Sequence, residues 1–272
     1  MDAFTNETRG QSSSIGVILI TAVVILGLTA IGYFGHAGFQ DSTSEVSTKA
    51  AENELERVSG GVNKVTQSNA PETVVDLRTD RIRNGGNIVV RGDRGNINVT
   101  VMNSTGQHTI LNRSLGVVEY RDQKNRVGYQ GGGVFANYED QSMTVVSDPA
   151  MSPKTLRGST SVNFPILIIE GRANLLHSVR ITKNNTRSEE KLYGSLWIPA
   201  DGGLRVEIQS EYAQAWSTYF NETFDTGAAE VTYTASTNTV VLEYYTDDTV
   251  GAGEDTGFYL HMSKFVVDVT DR

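Results

Sequence analysis

Between Gly10 and Gln40 the chain carries no Asp, Glu, Lys or Arg. Within that stretch, Ile15–Phe34 reads IGVILITAVVILGLTAIGYF, twenty residues without a charge. Wound as an α-helix, such a run is about 30 Å long, the thickness of a bilayer's hydrocarbon core. A helix that covers a soluble core keeps a polar stripe for water, and this one has none. The run therefore predicts a membrane span over residues 15–34. A cleaved secretory signal has an apolar stretch of only about 7–15 residues before its small-residue cleavage site. Here the run is longer, and the sequence past Ala37-Gly38 keeps helical spacing: Val46, Ala50, Leu55, Val58, Val62 and Val65 recur at three- to five-residue steps. The spacing predicts one long helix over residues 11–67, apolar first and amphipathic later. Arg9 is the only basic residue before the span, while Asp41 and Glu45 lie beyond it. That asymmetry favours a single pass with the C-terminal domain outside the cell membrane.

Composition narrows the character of the domain beyond the span. The chain has 272 residues, 23 Lys plus Arg against 32 Asp plus Glu, a net charge of −9 and no cysteine. That length suits an anchor with one domain of ordinary size, or two small ones. Without cysteine there is no disulfide framework, thiolate metal site or cysteine nucleophile. The negative balance argues against a nucleic-acid partner, whose phosphates are held by Lys and Arg. Only seven of the basic residues are Lys, and an acidic, Lys-poor, Gly- and Thr-rich surface fits a halophilic setting.

The residues before the span carry a resemblance. The start reads MDAFTNETRG-QSSSIGVILI, a short polar leader that ends in Arg9-Gly10, with the apolar helix beginning five residues later. This resembles the prepilin-type signal of archaeal type IV pilins and archaellins, in which a membrane peptidase cuts after the Gly. The resemblance places the cut between Gly10 and Gln11, so that Arg9, Gly10 and Gln11 form the cleavage site and residues 1–10 the leader. It implies a prepilin peptidase and other pilin-like subunits as partners, with the retained helix serving first as membrane anchor and then as filament core. Bacterial type IV pilins carry Glu at the fifth position of the processed chain, where this chain has Ile15. Common haloarchaeal pilins read nearer to V-S-P-V-I-G after the cut, where this chain has Gln11-Ser12-Ser13-Ser14-Ile15-Gly16. Two later stretches, SEYAQAWSTYF and GYQGGGVF, resemble segments of an uncharacterised haloarchaeal pilin-like membrane family.

Pro71 marks the end of the helical pattern. Residues 71–272 alternate short β-prone runs with Gly, Asn and Asp turns. Asn87–Arg91 and Asn96–Met102 flank Gly92-Asp93-Arg94-Gly95 as an expected hairpin, and Val117–Arg121 and Val127–Gln130 flank Asp122-Gln123-Lys124-Asn125 as another. Further strands are expected at Met143–Val146, Val162–Ile169, Ser178–Thr182, Gly203–Gln209, Ala229–Thr234, Thr239–Tyr245 and Phe258–Asp268. One short helix is expected over Ser210–Phe220 with Ser210 as its N-cap, covering a sheet with Tyr212, Trp216, Tyr219 and Phe220. The expected fold is thus α+β: a long N-terminal helix, then an extracellular, antiparallel, sandwich-like β domain.

Chemistry-bearing motifs are sparse. His36, His108, His177 and His261 are far apart in sequence and form no metal-ligand spacing, so no metal or cofactor is expected. Gly128-Tyr129-Gln130-Gly131-Gly132-Gly133 lacks the Lys and Ser/Thr of a phosphate loop and reads as a bent or bulged strand pair. Arg91-Gly92-Asp93 matches a cell-attachment tripeptide but sits where a turn needs Gly and Asp anyway. Asp247, Asp248, Glu254 and Asp255 cluster without the spacing of a Ca²⁺ loop and read as a solvated acidic loop. Glu189-Glu190 reads as a charged turn. Five Asn-x-Ser/Thr sequons lie beyond the span, at Asn98, Asn103, Asn112, Asn184 and Asn221; as glycosylation sites they require exposed Asn side chains on an exterior domain.

The leading expectation is a non-enzymatic, pilin-like surface subunit, minor or specialised, glycosylated on its outer domain. The alternative is a single-pass anchored β-domain that binds an envelope or extracellular ligand without polymerising. An anchored hydrolase ranks third, because no G-x-S-x-G elbow or other catalytic constellation is present in the sequence.

Overall fold

The computed structural model describes residues 46–271 apart from 69, 80–81, 83–85, 139–142, 157–158, 176, 225–227 and 246–256. The chain divides into two compact units, Met1–Val46 and Ser47–Arg272. The first, Val46 excepted, lies outside the described residues, and with it the expected cleavage site Arg9-Gly10-Gln11 and the expected span Ile15–Phe34. Among the described residues no helix is long and apolar enough to cross a membrane.

Helix α1 occupies residues 46–67, the described part of the expected long helix. Leu55, Val58, Val62 and Val65 are all buried, at steps of three and four that keep them on one side of the helix. Burying each such side chain contributes about 1.5–3 kcal/mol. Of the expected stripe, Ala50 is only partly buried and Val46 is 67% exposed. Ala51 takes the buried position instead, because four residues before Leu55 is the same face and five is not.

The strands form three sheets. In the first, β1 (Glu72–Asp76), β12 (Ser178–Lys183), β17 (Phe258–Asp271), β10 (Ser159–Glu170) and β9 (Ser152–Leu156) lie side by side, and β13 (Glu189–Ile198) also pairs with β17. The second runs β11 (Arg172–Leu175), β2 (Asn87–Arg91), β5 (Val117–Arg121), β6 (Arg126–Gln130), β7 (Gly133–Asn137), β8 (Thr144–Ser147). The third runs β15 (Ala229–Thr234), β16 (Thr239–Tyr245), β14 (Gly203–Gln209), β3 (Asn96–Asn103), β4 (Gly106–Ser114). A β-rich domain with antiparallel sheets is therefore observed, with one departure: β10 and β17 pair in parallel from Thr160↔Phe258 to Glu170↔Asp268. Parallel neighbours are usually buried on both faces and read as continuous apolar runs, as FPILII and FVV do here. Val162, Phe164, Ile166 and Ile168 of β10 enter one core, while Leu167 and Ile169 enter the other.

Sheet two is likewise covered on both faces. Val117 and Phe135 face the first core, with α2 (Ala213–Thr223) and sheet three; Val118, Tyr120, Val127, Tyr129 and Val134 face the second core, with α1. Glu52 of α1 is buried, and its carboxylate accepts hydrogen bonds from Tyr138 and Lys49.

Several sequence expectations need correction. The two strands around Gly92–Gly95 do not form a hairpin: β2 pairs with β5 and β11, whereas β3 pairs with β4 and β14. The turn is a corner at which the chain changes sheets. Glu189-Glu190 is not a turn but the start of β13, because the turn comes earlier, at 185–187. The glycine string does belong to a strand pair, but it makes the turn rather than a bulge: Gly131 and Gly132, with φ of 60° and 98°, form the two-residue turn of the β6–β7 hairpin, a conformation that suits Gly. The short helix starts three residues later than expected. Its N-cap is Tyr212, which makes no side-chain cap bond of its own; the Ser210 hydroxyl oxygen accepts the backbone N–H of Tyr212 at 3.1 Å while its hydrogen goes to Gln130. The β5–β6 hairpin is observed, its turn fixed by Asp122 Oδ1, which accepts the backbone N–H groups of Lys124 and Asn125.

Candidate functional site

Where sheets two and three and the start of α2 meet, one buried amide holds four segments. Gln130 ends β6 and is 1% exposed. Its Oε1 accepts the Ser210 hydroxyl at 2.6 Å and Trp216 Nε1 at 3.4 Å. Its Nε2 donates to the Arg94 carbonyl at 3.4 Å and the Gly116 carbonyl at 3.3 Å. Both donors and both acceptors of the amide are used, so its burial leaves no polar atom unpaired. Gly95 makes this approach possible. It has φ of 69°, and a Cβ there would lie 2.6 Å from Gln130 Nε2.

Over this floor lies a cleft of about 330 Å³, walled by the β2–β3 corner, β5, the Ser210–Tyr212 turn and the β15–β16 turn. Its charged rim draws on separate segments. Glu211 Oε2 accepts Arg121 Nη2 at 2.7 Å and Arg126 Nη1 at 2.8 Å, and Arg94 lies 3.7 Å from its other oxygen. Glu119, almost wholly buried, takes the Nε of Arg121 at 2.7 Å. Burial works against the Arg121 charge, but the hydrogen bond to Glu119 and the fields of Glu119 and Glu211 outweigh it and raise its pKa. These arginines are a third to a half exposed. Each pair on the part-exposed Glu211 therefore contributes at most about 1 kcal/mol, and those pairs fix orientation more than they stabilise.

Tyr212 forms the inner wall. Its phenol head rests on Gly128, where a Cβ would lie 2.4 Å from the hydroxyl oxygen, so no other residue fits at that position. The hydroxyl is buried and has no hydrogen-bond partner. Burial, then the nearby Glu119 and Glu211 carboxylates, hold its pKa well above the ordinary phenol value, partly offset by Arg121 and Arg126. It is a neutral O–H, able to donate and accept. With Ser114 and Asn238 also on the wall, the cleft presents donors and acceptors of both signs of charge. Ser210 already donates to Gln130, so its hydroxyl is not poised as a nucleophile.

The residues singled out from sequence are scattered. Asn103 and Asn184 sit at turns, and the Oδ1 of each accepts the hydroxyl of the Thr in its own sequon, Thr105 at 2.6 Å and Thr186 at 2.9 Å. Asn103 is exposed and Asn184 partly so. Asn112 is exposed on β4, and Asn221 is exposed on α2, where it donates to the Ser217 carbonyl. Asn98 differs: it lies within β3, with its Oδ1 buried and unpaired, so its amide is poorly presented to a transferase. Asp93 of the Arg-Gly-Asp tripeptide is bound by Arg172 at 3.0 Å. His108 and His177 are exposed and His261 is partly buried, each on a different segment; among the described residues no group of His, Asp and Glu is arranged to hold a metal. His36 and the acidic loop at 247–255 lie outside the described residues.

Nothing in the sequence marks Arg94, Glu119, Arg121, Arg126 and Glu211 as a set. Single charges spread from residue 94 to residue 211 carry no local pattern, and only the fold brings them together. Gln130 and Tyr212 fall within stretches that stand out in the sequence, but for their glycines and aromatics.

No curated protein and no solved structure matches the chain. One family model does, across residues 9–253, a match that opens at Arg9 and takes in the apolar run and the sheets up to β16. The chain belongs to that family, described as a family of unknown function, DUF7289.

Proposed function

We propose that this chain is a type IV pilin-like surface subunit, structural rather than enzymatic, cut by a prepilin peptidase between Gly10 and Gln11 and held in the membrane by residues 15–34. The observation that carries the reading is the uncharged twenty-residue run placed directly after Arg9-Gly10. Two further findings support it. The family match begins at Arg9 rather than at the first strand, so the cleavage residues, the apolar run and most of the β domain are matched together. The apolar stripe of α1 is set into the same core as sheet two, which makes the amphipathic part of the helix integral to the folded unit. The outer domain, with its turn sequons at Asn103 and Asn184, would face the exterior and carry glycans. Its size favours a minor or specialised subunit.

The test is Gly10→Val in the native host. The wild-type chain should lose its first ten residues, while the variant keeps them and accumulates in the membrane. Equal shortening of both chains would overturn the reading. The polar cleft favours a second reading, a single-pass anchored β-domain that binds an envelope or extracellular ligand without polymerising. Leader removal followed by higher-order assembly separates the two.

A further inference from the structure

We infer that α1 carries a built-in joint: its first two turns, residues 47–54, peel from the domain while residues 55–65 stay docked. The two halves of the helix bury different chemistry. From Leu55 onward the buried side is aliphatic, with Leu55, Val58, Val62 and Val65 at steps of three and four and Ser59 as the one buried polar side chain. Continued toward the N-terminus, the same steps fall on Glu54, Ala51 and Ser47, and beside them Thr48 and Glu52 are buried as well. Of these residues only Ala51 is apolar, and it brings a single methyl group to the core. The Ser47 hydroxyl is buried with no hydrogen-bond partner, so it gives up water without replacement. Both carboxylates meet cations that stand in solvent: Glu52 lies 2.5 Å from Lys49, 70% exposed, and Glu54 lies 2.9 Å from Arg57, 41% exposed. Lys49 and Arg57 are on α1 itself and lift with it, so among the described residues Tyr138 alone ties either carboxylate to a sheet. Opening the first two turns thus exposes little apolar surface and returns two carboxylates and a hydroxyl to water, whereas opening the rest exposes four aliphatic side chains. Stability falls along one helix from its C-terminal to its N-terminal end, the pattern of a segment that opens on its own. Such a joint lets the domain turn about the docked half of α1. Its use, as a subunit passes from membrane to filament, rests on the proposed function; the joint itself does not.

The chain has no cysteine, so one introduced thiol reports on one position. In the full chain, held in detergent, Ala51→Cys should react with a maleimide at least about 30-fold faster than Val62→Cys, because the first needs only local opening. Adding Glu52→Leu and Glu54→Leu to Ala51→Cys should slow its labelling at least about tenfold, since apolar side chains then hold the first two turns down. Lys49, Arg57 and Tyr138 all keep access to water, so these leucines orphan no buried group. Hydrogen exchange of the unsubstituted chain reads the same difference and decides the matter should Ala51→Cys fold poorly: amides 52–55 should exchange at least about 30-fold faster than amides 60–65. Equal labelling at 51 and 62, or equal exchange in the two halves, would overturn the joint. Fast labelling at 51 that the leucines leave unchanged would also overturn it, as ordinary fraying of a helix end. Neither readout depends on where the chain begins, so failure here leaves the test at Gly10 untouched.

Discussion

The two cores of this domain are built on different principles. The first is a ladder of rings: Phe135 to Trp216 at 4.9 Å between centroids, Trp216 to Phe220 at 5.5 Å, Phe220 to Phe224 at 5.9 Å, Phe224 to Tyr244 at 5.9 Å and Tyr244 to Phe258 at 5.1 Å. The second is almost wholly aliphatic, with Ala51, Leu55, Val58, Val62 and Val65 of α1 laid along Val, Ile and Leu side chains of sheets one and two; among the described residues its only buried rings are Tyr120 and Tyr129. Large rings in offset and edge-on contact lock one arrangement of a short helix. Small aliphatic side chains at regular helical steps make a seam that depends on close approach rather than on shape. The first core therefore fixes the site, and the second fixes α1 to the domain.

Substitutions in each core should show this difference. The largest effect is expected from Trp216→Ala, which removes the centre of the ring ladder and leaves Gln130 Oε1 short of a donor; about 3–5 kcal/mol of stability should go, read from the urea midpoint. A loss below about 1 kcal/mol would mean that the rings can repack. Gly61→Ala tests the seam. A Cβ there would lie 2.6 Å from Val75 and 2.9 Å from Ile181, so the helix must lift from β1 and β12, at about 1–3 kcal/mol. An unchanged midpoint would show that α1 is not held that closely.

Alkali is the mildest of these perturbations and samples both cores at once. Burial pushes Tyr219 in the first core up to about 12 and raises Tyr129 in the second. Unfolded phenols ionise near 10. A folded pKa above the unfolded one means that the stabilisation is complete below about pH 10 and is lost as pH rises through about 12. Phenolate absorbance near 295 nm followed alongside circular dichroism should show exposed tyrosines titrating first, with Tyr129 and Tyr219 ionising only as structure is lost. Ionisation of all tyrosines near pH 10 with the fold intact would contradict the burial on which both cores rest.

Much of the fold is legible in the residues because it is local. Gly203–Gln209 and Ala229–Thr234 alternate apolar and polar side chains, Thr239–Tyr245 is a β-branched and aromatic run, and β14, β15 and β16 have those bounds. Pairing is harder to read. Gly92–Gly95 says where the chain bends, but whether the next strand returns to its neighbour or crosses to another sheet depends on β5 and β14, which lie far along the chain. The strand β13 begins with Glu189-Glu190, which reads as a turn in isolation; its pairing partner β17 lies about 70 residues on, and Lys264 there neutralises Glu189. The cleft is the least legible part. A buried Gln, an unpaired phenol and a shared guanidinium cluster acquire meaning only from neighbours that the fold supplies.

The proposed function rests on what happens at Gly10, and the most direct measurement is the N-terminal peptide of the chain isolated from its native host, read by mass spectrometry. The account predicts a chain that begins at Gln11 and keeps the apolar run. A chain that retains residues before Gln11 would contradict it in favour of a plain anchor, and a start near Ser42 would mean that the run is a signal removed on secretion.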